Sequence, residues 1–339
     1  MNGFERINAA LNGQWPDKRP ILLHNFMLAA REAGFSMKEY RDDPEKAAKS
    51  HIQFVEKYKV DGILLDVDTS ILASAIGVPT YYPENEPALA YGGLLTSIHE
   101  VNSLEIPDIA KSPRVQHALE TMRILRKYFG KDIYLRGNCD QAPFSLASMV
   151  RTPSGFMLDL ILDRDNVIKL LDKCAIACIR FIDLMAEAGA DMISNGDSPA
   201  GPEMIAPELY RIFALPYERM MANTAHKHDL PYCLHICGNT DVILTDMIET
   251  DSDAVELDYK TNIAKIHKTF QNKLTLFGTL DPSGVIANGS AALVEKKIRE
   301  ILRIYKDSPR YIMNAGCAIP PTTPSGNIFK LVEVTRNFI

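Results

Sequence analysis

Short apolar runs alternate with amphipathic stretches along most of this 339-residue chain. The runs are rich in β-branched residues and end in a polar residue or a glycine, and segments with apolar positions at helical spacing follow most of them. This alternation is typical of repeated strand–helix units built around a parallel sheet. Eight runs have the character of strands: Pro20–Asn25, Gly62–Asp66, Asp132–Arg136, Asp191–Asn195, Pro231–Cys237, Ala254–Asp258, Lys273–Gly278 and Arg310–Gly316.

Eight strand–helix units predict an α/β fold, a (β/α)8 TIM barrel that forms a single domain over residues 1–339. Barrels of this kind typically need about 250 residues and often carry insertions. The alternative, an open doubly wound sheet, is disfavoured because no glycine-rich dinucleotide fingerprint follows the first run. Residues 79–112 are turn-rich, and we expect them to form a loop or hairpin insertion on the catalytic face.

Three helices between the strands are predicted with their boundaries. Asp163–Gly189 carries apolar residues at helical spacing and has a glycine at its expected end. Pro207–His226 is a second helix, which Pro216 should kink or interrupt. The third is Ser290–Tyr305, for which Ser290 is the expected N-cap.

Composition and charge narrow the classes of function. Hydrophobic residues make up 46% and charged residues 24% of the chain, and the formal net charge is -6. The acidic balance argues against broad nucleic-acid binding, which needs a basic face. The sequence also lacks the roughly 18 consecutive apolar residues of a membrane helix and, over residues 1–12, the apolar core of a secretory signal. With six scattered cysteines, we expect a cytoplasmic protein with reduced thiols.

A candidate zinc site is formed by His235, Cys237 and Cys317. Residues i and i+2 of a strand share a face, so His235 and Cys237 are both expected to face the barrel mouth, where active sites of such barrels lie. Cys317 follows the eighth run and reaches the same rim. Three nitrogen and sulfur ligands leave one position open, as catalytic zinc sites do. The alternative is that these residues are simply packed, since cysteine is often buried.

Carboxylates at neighbouring strand ends could complete this site. A fourth ligand is available from Asp197, Glu256 or Asp258, and the pattern does not distinguish among them. Asp197 has a second possible role, in which it accepts a hydrogen bond from His235 and orients the ring. For each carboxylate the alternative is a solvated or capping group. The residues expected to act in catalysis are His235, Cys237, Cys317 and Asp197.

Four segments carry a resemblance to a known family. They are His235–Thr240 (HICGNT), Gly278–Pro282 (GTLDP), Asn314–Cys317 (NAGC) and Pro321–Asn327 (PTTPSGN). The chain resembles the uroporphyrinogen decarboxylase superfamily over nearly its whole length, and within it the methylcobalamin:coenzyme M methyltransferase branch. The His-x-Cys pattern with a distant cysteine is the specific part, because that branch uses it to bind zinc.

The resemblance implies a zinc-dependent methyltransferase. Such an enzyme moves a methyl group from a methylated corrinoid, carried by a partner protein, to a thiol such as coenzyme M or to tetrahydrofolate. The implied cofactors are therefore Zn²⁺ and the partner's methylcobalamin or related corrinoid. The residues expected to contact the cofactor are Asn25, Asp68, Asn239 and Asn314.

Two other functions remain open at this point. A decarboxylase would need the family's Met-Arg-Gln-Ala-Gly-Arg-Tyr motif, whose arginines hold the porphyrinogen carboxylates. Here the matching stretch is Met27–Ala33 (MLAAREA), in which both motif arginines are replaced and Arg31 lies one position out of place. Asp68, however, matches the decarboxylase's central aspartate. The other alternative is a non-catalytic partner of a corrinoid protein. The presence of all three candidate zinc ligands argues against that role.

Overall fold

A computed structural model describes residues 1–271 and 273–338. The strands are β1 Leu22–Leu23, β2 Gly62–Leu65, β3 Thr80–Tyr81, β4 Leu89–Ala90, β5 Tyr134–Gln141, β6 Met192–Gly196, β7 Tyr232–Ile236, β8 Ala254–Leu257, β9 Thr275–Gly278 and β10 Tyr311–Ile312. The helices are α1 Gly3–Leu11, α2 Phe26–Glu32, α3 Met37–Asp42, α4 Pro44–Tyr58, α5 Ile71–Ala75, α6 Pro113–Phe129, α7 Pro143–Arg151, α8 Pro153–Leu162, α9 Arg164–Glu187, α10 Pro207–Phe213, α11 Leu215–His226, α12 Leu244–Ile248, α13 Ile263–Phe270, α14 Ala291–Ile304 and α15 Ser325–Arg336.

Eight of these strands form one parallel sheet, in the order β1-β2-β5-β6-β7-β8-β9-β10. Its two edges meet through a parallel bridge between Ile21 and Met313. The amide of Leu22 also donates to the carbonyl of Met313 at 3.1 Å. The sheet therefore closes into a barrel surrounded by helices. The predicted (β/α)8 fold is confirmed, and every one of the eight apolar runs overlaps a barrel strand.

The third run is longer than the sequence suggests. We place its end at Arg136, which is wrong, because β5 continues to Gln141. The pairing of β5 with β6 shifts register between Asn138 and Gln141, where Asp140 has a left-handed backbone with φ of 59°. A bulge of this kind absorbs extra residues without ending the strand. The polar residues that suggest a strand end in the sequence are therefore part of the bulge.

The predicted helices form, with small shifts at their ends. The first is α9, and the third is α14, where the Ser290 hydroxyl accepts the amide of Leu293. The second is divided at Ala214 into α10 and α11. Pro216 lies in the first turn of α11, where its missing amide has no partner to lose. Within the described residues, no helix combines the length and apolar character needed to cross a bilayer.

The barrel interior has an apolar floor beneath a polar layer. Helix α1 contributes Ile7 and Ala10 to the floor. Its members are Ile7, Ala10, Leu22, Leu64, Tyr134, Met192, Cys233, Ala254, Phe277 and Ile312. Strand side chains alternate between the two faces, so the next inward residue lies two positions further along each strand. On several strands that residue is polar, and these residues form the base of the mouth: His24, Asp66, Arg136, His235, Glu256 and Asn314.

Residues 79–112 contain the antiparallel pair β3–β4 and two 3₁₀ helices, Ile98–Ser103 and Ile109–Lys111. Buried side chains from the barrel bind the backbone of this segment. The carboxylate of Asp68 accepts the amide of Ala88 at 2.7 Å. The guanidinium of Arg41 donates to the carbonyl of Glu86, also at 2.7 Å. These contacts hold the segment against the rim of the barrel.

Substitution of the floor residue Ile7 by alanine is expected to lower the free energy of unfolding by about 2–5 kcal/mol. The side chain is fully buried, and the surrounding strands are too constrained to close the cavity it would leave. Urea denaturation measures the change. Ile176→Ala is the matched control, because Ile176 is 58% exposed on α9 and should change stability by less than about 0.5 kcal/mol. Equal losses of unfolding free energy in the two variants would contradict the inference that α1 packs into the apolar floor of the barrel.

Candidate metal centre

The side chains of His235, Cys237 and Cys317 converge at the barrel mouth. Nε2 of His235 lies 3.0 Å from Sγ of Cys237, and the two sulfur atoms are 3.6 Å apart. All three ligand atoms lie within 4.8 Å of one another. Tetrahedral bonds of about 2.0–2.3 Å to zinc would separate such atoms by roughly 3.3–3.8 Å. The sulfur–sulfur distance lies in this range and the nitrogen–sulfur distance is about 0.3 Å below it. A small movement of these side chains would let the three hold a zinc ion and leave a fourth position for another ligand.

Two glycines allow the cysteine loops to approach. Gly238 has φ of +85°, which a residue with a side chain rarely adopts. A Cβ on Gly316 would lie 2.9 Å from the Cα of Asp258. Side chains then hold the turn: the amide of Cys237 donates to the hydroxyl of Ser198 at 3.1 Å, and the amide of Gly238 donates to Asp258 at 3.0 Å. Asp258 thus supports the loop that carries Cys237.

The charges of the three side chains favour a thiolate. A hydrogen bond from Cys317 lowers the pKa of Cys237 to about 3 against the opposing effect of burial, and His235 contributes further. The pKa of Cys317 is raised, first by its hydrogen bond to Cys237 and then by burial. Burial lowers the pKa of His235, but the neighbouring Cys237 outweighs it, so the net shift is upward. The trio thus presents an anionic sulfur of the kind that binds soft cations.

Glu256 lies at the centre of a buried hydrogen-bond network below the trio. Its Oε1 is 3.1 Å from Nδ1 of His24 and 3.3 Å from Nδ1 of His235. Its Oε2 accepts Nη1 of Arg136 at 2.5 Å and Nδ2 of Asn314 at 3.0 Å. Both carboxylate oxygens therefore have two partners, and one of these partners is the candidate ligand His235.

The network keeps its members charged despite their burial. Burial opposes ionisation of Glu256, but Arg136, His24 and His235 hold its pKa below the usual range of a glutamate. Burial likewise lowers the pKa of His24, yet its hydrogen bonds to Asp66 and Glu256 raise that pKa to about 10. The imidazole of His24 is therefore a cation held between two carboxylates, 2.8 Å from Asp66.

The expected contact between the Asp197 carboxylate and His235 is corrected by the structure. That carboxylate accepts the amide and the hydroxyl of Ser145 at 2.8 and 2.5 Å, and it also neighbours the carboxyl of Glu218. Only the backbone amide of Asp197 contacts His235, at the carbonyl, 2.8 Å away. The side chain points away from the barrel axis because the residue follows the last inward position of β6. Glu256, on the adjacent strand β8, takes the orienting position instead: its backbone carbonyl lies 3.1 Å from Nδ1 of His235, and its carboxylate lies 3.3 Å from the same nitrogen.

A cavity of about 190 Å³ opens beside the trio. Its wall consists of His24, Phe26, Met27, Leu64, Asp66, Thr69, Pro87, Arg136, Asn138, Asp140, Gln141, Gly196, Ser198, His235, Cys237, Glu256, Cys317 and Ala318. All three candidate ligands, His235, Cys237 and Cys317, thus lie in this wall. The supporting Glu256 lies there as well. A small acceptor molecule placed in this cavity would lie within reach of the metal position.

Four residues are expected from the sequence to contact the cofactor: Asn25, Asp68, Asn239 and Asn314. In the part of the chain that the structure describes, none of the four lies in the cavity wall. Asn314 supports Glu256, and Asp68 holds residues 79–112 as described above. Asn25 is buried at the start of α2. The side chain of Asn239 accepts an amide within its own loop at 2.9 Å. Their positions therefore favour structural support of the site over direct contact with a cavity ligand.

Sequence reasoning assigns no role to three residues of the wall. Arg136 occupies an inward position within an apolar run, and a charged residue at such a position is a signal that could have found it. Asp140 is hidden by the bulge in β5. Ser198 follows the end of β6, and nothing in its sequence context indicates its hydrogen bond to Cys237.

Comparisons with known proteins agree with this architecture. Residues 2–338 match the family described as uroporphyrinogen decarboxylase (URO-D). A methylcobamide:CoM methyltransferase of Methanosarcina mazei is 34% identical over 71% of this chain and 70% of its own length. A uroporphyrinogen decarboxylase of Syntrophotalea carbinolica is 27% identical over 97% and 96%.

Among solved structures, a methyltransferase from Methanosarcina mazei superposes with a TM-score of 0.91. The alignment covers 100% of this chain and 99% of that protein, at 24% identity. At this identity the match supports the barrel fold alone. Together with the family match over almost every residue, it confirms the resemblance expected from the sequence: the chain belongs to the uroporphyrinogen decarboxylase family.

Proposed function

We propose that this chain is a zinc-dependent methyltransferase that takes a methyl group from a methylated corrinoid protein and passes it to a thiol such as coenzyme M, or to tetrahydrofolate. The convergence of His235, Cys237 and Cys317 at the barrel mouth is the observation that carries this proposal. The relatives named as methylcobamide:CoM methyltransferases support it.

The chemistry requires an ionised acceptor next to an accessible methyl group. A free thiol, with a pKa near 8.5, is mostly protonated at neutral pH. A zinc ion bound by the trio would supply an open coordination position at which the acceptor thiol is deprotonated. In the proposed transfer a sulfur–carbon bond would form as the carbon–cobalt bond of the partner's corrinoid breaks, and the electron pair of that bond would stay on the cobalt.

The chain's own residues prepare this position. Nδ1 of His235 lies 3.1 Å from the backbone carbonyl of Glu256 and 3.3 Å from its carboxylate, which leaves Nε2 directed at Cys237. Orientation of a ligand histidine by a carbonyl or a carboxylate also raises its basicity. The apolar side chains Phe26 and Met27 form part of the cavity wall. Around a bound acceptor, these apolar side chains would limit the water that reaches the sulfur and so preserve its nucleophilicity.

The decarboxylase function has less support in this site. In the stretch that matches the decarboxylase motif, Met27–Ala33, the guanidinium of Arg31 donates to the carbonyl of Pro321 at 2.5 Å. From the same stretch, Met27 lies in the cavity wall. A tetrapyrrole with many carboxylates needs several unpaired cations. The cationic side chains in the wall, His24 and Arg136, are already bound to carboxylates.

Metal analysis combined with a transfer assay tests the proposed function. We expect about one zinc per chain and loss of methyl from methylcobalamin when coenzyme M or tetrahydrofolate is added. Chelation should remove the zinc and the transfer together, and added zinc should restore both. Full transfer by metal-free protein would overturn the zinc role. Failure to transfer to any acceptor, with release of carbon dioxide from uroporphyrinogen, would favour the decarboxylase.

A further inference from the structure

A second cavity opens on the rim of the barrel mouth, beside the cavity of about 190 Å³ at the candidate metal centre, which we call the acceptor cavity. The second cavity, the rim pocket, has a volume of about 260 Å³, and its wall combines residues of the 79–112 segment with the end of α7 and the start of α8. Thr69 lies in the walls of both cavities. Pro199, in the wall of the rim pocket, follows Ser198, whose hydroxyl accepts the amide of Cys237. A group bound in the rim pocket would therefore lie close to the loop that carries a candidate zinc ligand.

The two cavities differ in charge. Acidic and basic side chains lie in the wall of the acceptor cavity, namely His24, Asp66, Arg136, Asp140 and Glu256. Among the described residues, no acidic residue, basic residue or histidine lies in the wall of the rim pocket, which combines hydroxyl groups and backbone amides with apolar side chains. An ion would lose hydration there without gaining a counter-ion, so the rim pocket favours a neutral group that forms hydrogen bonds.

The hydrogen-bonding groups of the rim pocket are accessible to a ligand. Tyr91 is 60% exposed. Gly92 and Gly93 have left-handed backbones, with φ of 81° and 79°, and their amides donate to no backbone carbonyl among the described residues. A Cβ on Gly92 would meet none of the described atoms beyond its chain neighbours within 4 Å. Because these two positions lack side chains, a ligand can approach the backbone closely.

The methyl donor of the proposed function carries groups that match this wall. A corrin ring is edged by carboxamide side chains, which are uncharged and both donate and accept hydrogen bonds. The ring is too large for the acceptor cavity, whose volume of about 190 Å³ equals that of roughly six water molecules at about 30 Å³ each. A corrin that brings its cobalt to the metal centre must therefore stay above the mouth and extend across the rim.

We propose that the rim pocket binds the corrin edge of the methyl donor through its carboxamide side chains, and so holds the cobalt-bound methyl group over the acceptor cavity. This inference rests on the proposed function and adds a binding site to it. Methyl transfer requires the acceptor sulfur, the methyl carbon and the cobalt to be aligned. Contacts at the reacting centre alone would let the large ring tilt, whereas a second contact at its edge fixes its orientation.

The methyl acceptor fits the rim pocket less well than the corrin edge does. Coenzyme M carries a sulfonate, and tetrahydrofolate carries carboxylates. Strong binding of such groups depends on cationic donors, and none of the described residues in this wall supplies one. The neutral edge of the corrin is therefore the better occupant.

Two corrinoids that differ in the charge of their edge test the assignment. Methylcobinamide keeps the carboxamides, whereas methylated cobyrinic acid has carboxylates in their place. With zinc-loaded protein and coenzyme M, we expect kcat/KM to be at least about tenfold higher for methylcobinamide, because carboxylates lose hydration in a pocket without cations. Equilibrium dialysis of the dicyano forms of both corrinoids against metal-free protein should give the same order of affinity, and this measurement involves no methyl transfer.

Leu89→Lys distinguishes the rim pocket from the overall charge of the protein. Leu89 lies in the wall of the pocket and is 58% exposed, so the fold should accommodate a lysine. The new cation should narrow the preference for methylcobinamide by about tenfold. Gln14→Lys is the matched control, because it adds the same charge at an exposed position that follows α1, next to the floor of the barrel, and the preference should not change.

Tyr91→Phe tests the hydrogen bonding of the same wall without changing its charge. Loss of the hydroxyl should raise KM for methylcobinamide roughly two- to tenfold. KM for coenzyme M should stay at the wild-type value, because the acceptor binds in the other cavity. A variant that merely disturbed the fold would affect both substrates.

The outcomes separate this inference from the proposed function. Equal affinity for the two dicyano corrinoids, or a change of preference in Leu89→Lys no larger than that in Gln14→Lys, would overturn the rim-pocket assignment while methyl transfer stands. A raised KM for coenzyme M or tetrahydrofolate, with that for the corrinoid unchanged, would overturn it as well and assign the pocket to the acceptor. Preferential binding of the carboxamide form without transfer to any acceptor would overturn the proposed function alone. Absence of both binding and transfer would overturn both.

Discussion

Replacement of Cys237 or Cys317 by alanine is expected to remove zinc and methyl transfer together. Each substitution deletes one of three converging ligand atoms and leaves two protein ligands. Changes to residues that only support a metal ligand typically reduce affinity or activity by 10–100-fold, so loss of a ligand itself should reduce both by more than about 100-fold. Elemental analysis of the dialysed protein and the rate of methylcobalamin demethylation measure the two effects.

The matched control for these variants is Cys174→Ala. Cys174 is fully buried on α9, away from the barrel mouth, so its removal should affect stability and leave zinc content near that of the wild type. Zinc retained by Cys237→Ala or by Cys317→Ala would show that the three side chains do not form the metal site. If Cys174→Ala also loses its zinc, the loss in all three variants would be explained by damaged folding.

The barrel could be predicted from the sequence because its signal is local and repeated. Each buried parallel strand is a short apolar run, and eight such runs appear between amphipathic helices. The exception is β5, for which the polar stretch Asn138–Gln141 suggests the end of a strand. Pairing with β6 continues through that stretch because a bulge accommodates it, and this outcome depends on a neighbouring strand that lies far along the chain.

The metal ligands could likewise be predicted from a local pattern, whereas their supporting residues depend on strands that are distant in the sequence. His235 and Cys237 are two positions apart on one strand, so their shared direction follows from the period of the strand alone. The period of the strand does not indicate that Glu256, and not Asp197, is the partner of His235. That partner depends on which side chain from an adjacent strand points inward at the same height. Alternation along β8 puts Glu256 inside, whereas Asp197 lies beyond the end of β6.

Stability and metal binding should therefore be coupled at Glu256. Glu256→Gln keeps the size of the side chain but removes the negative charge that faces His24, Arg136 and His235. Removing one partner from a buried ionic network typically costs about 3–5 kcal/mol, because the remaining charges lose compensation without regaining water. We expect a loss of about 3–5 kcal/mol in the free energy of unfolding and a roughly 10–100-fold weaker affinity for zinc.

Guanidinium denaturation and competition with a chromophoric chelator measure these two losses. Glu208→Gln is the control, because its side chain is 74% exposed and should change stability by less than about 0.5 kcal/mol. The pKa of Glu256 is lowered by folding, so its contribution is complete above the ordinary value of 4.5 and is lost as the pH falls below it. The stability difference between wild type and Glu256→Gln should therefore narrow in acid. A difference that stays constant with pH would indicate that the substitution disturbs packing alone, and that the charge of the native carboxylate does not hold His235 in place.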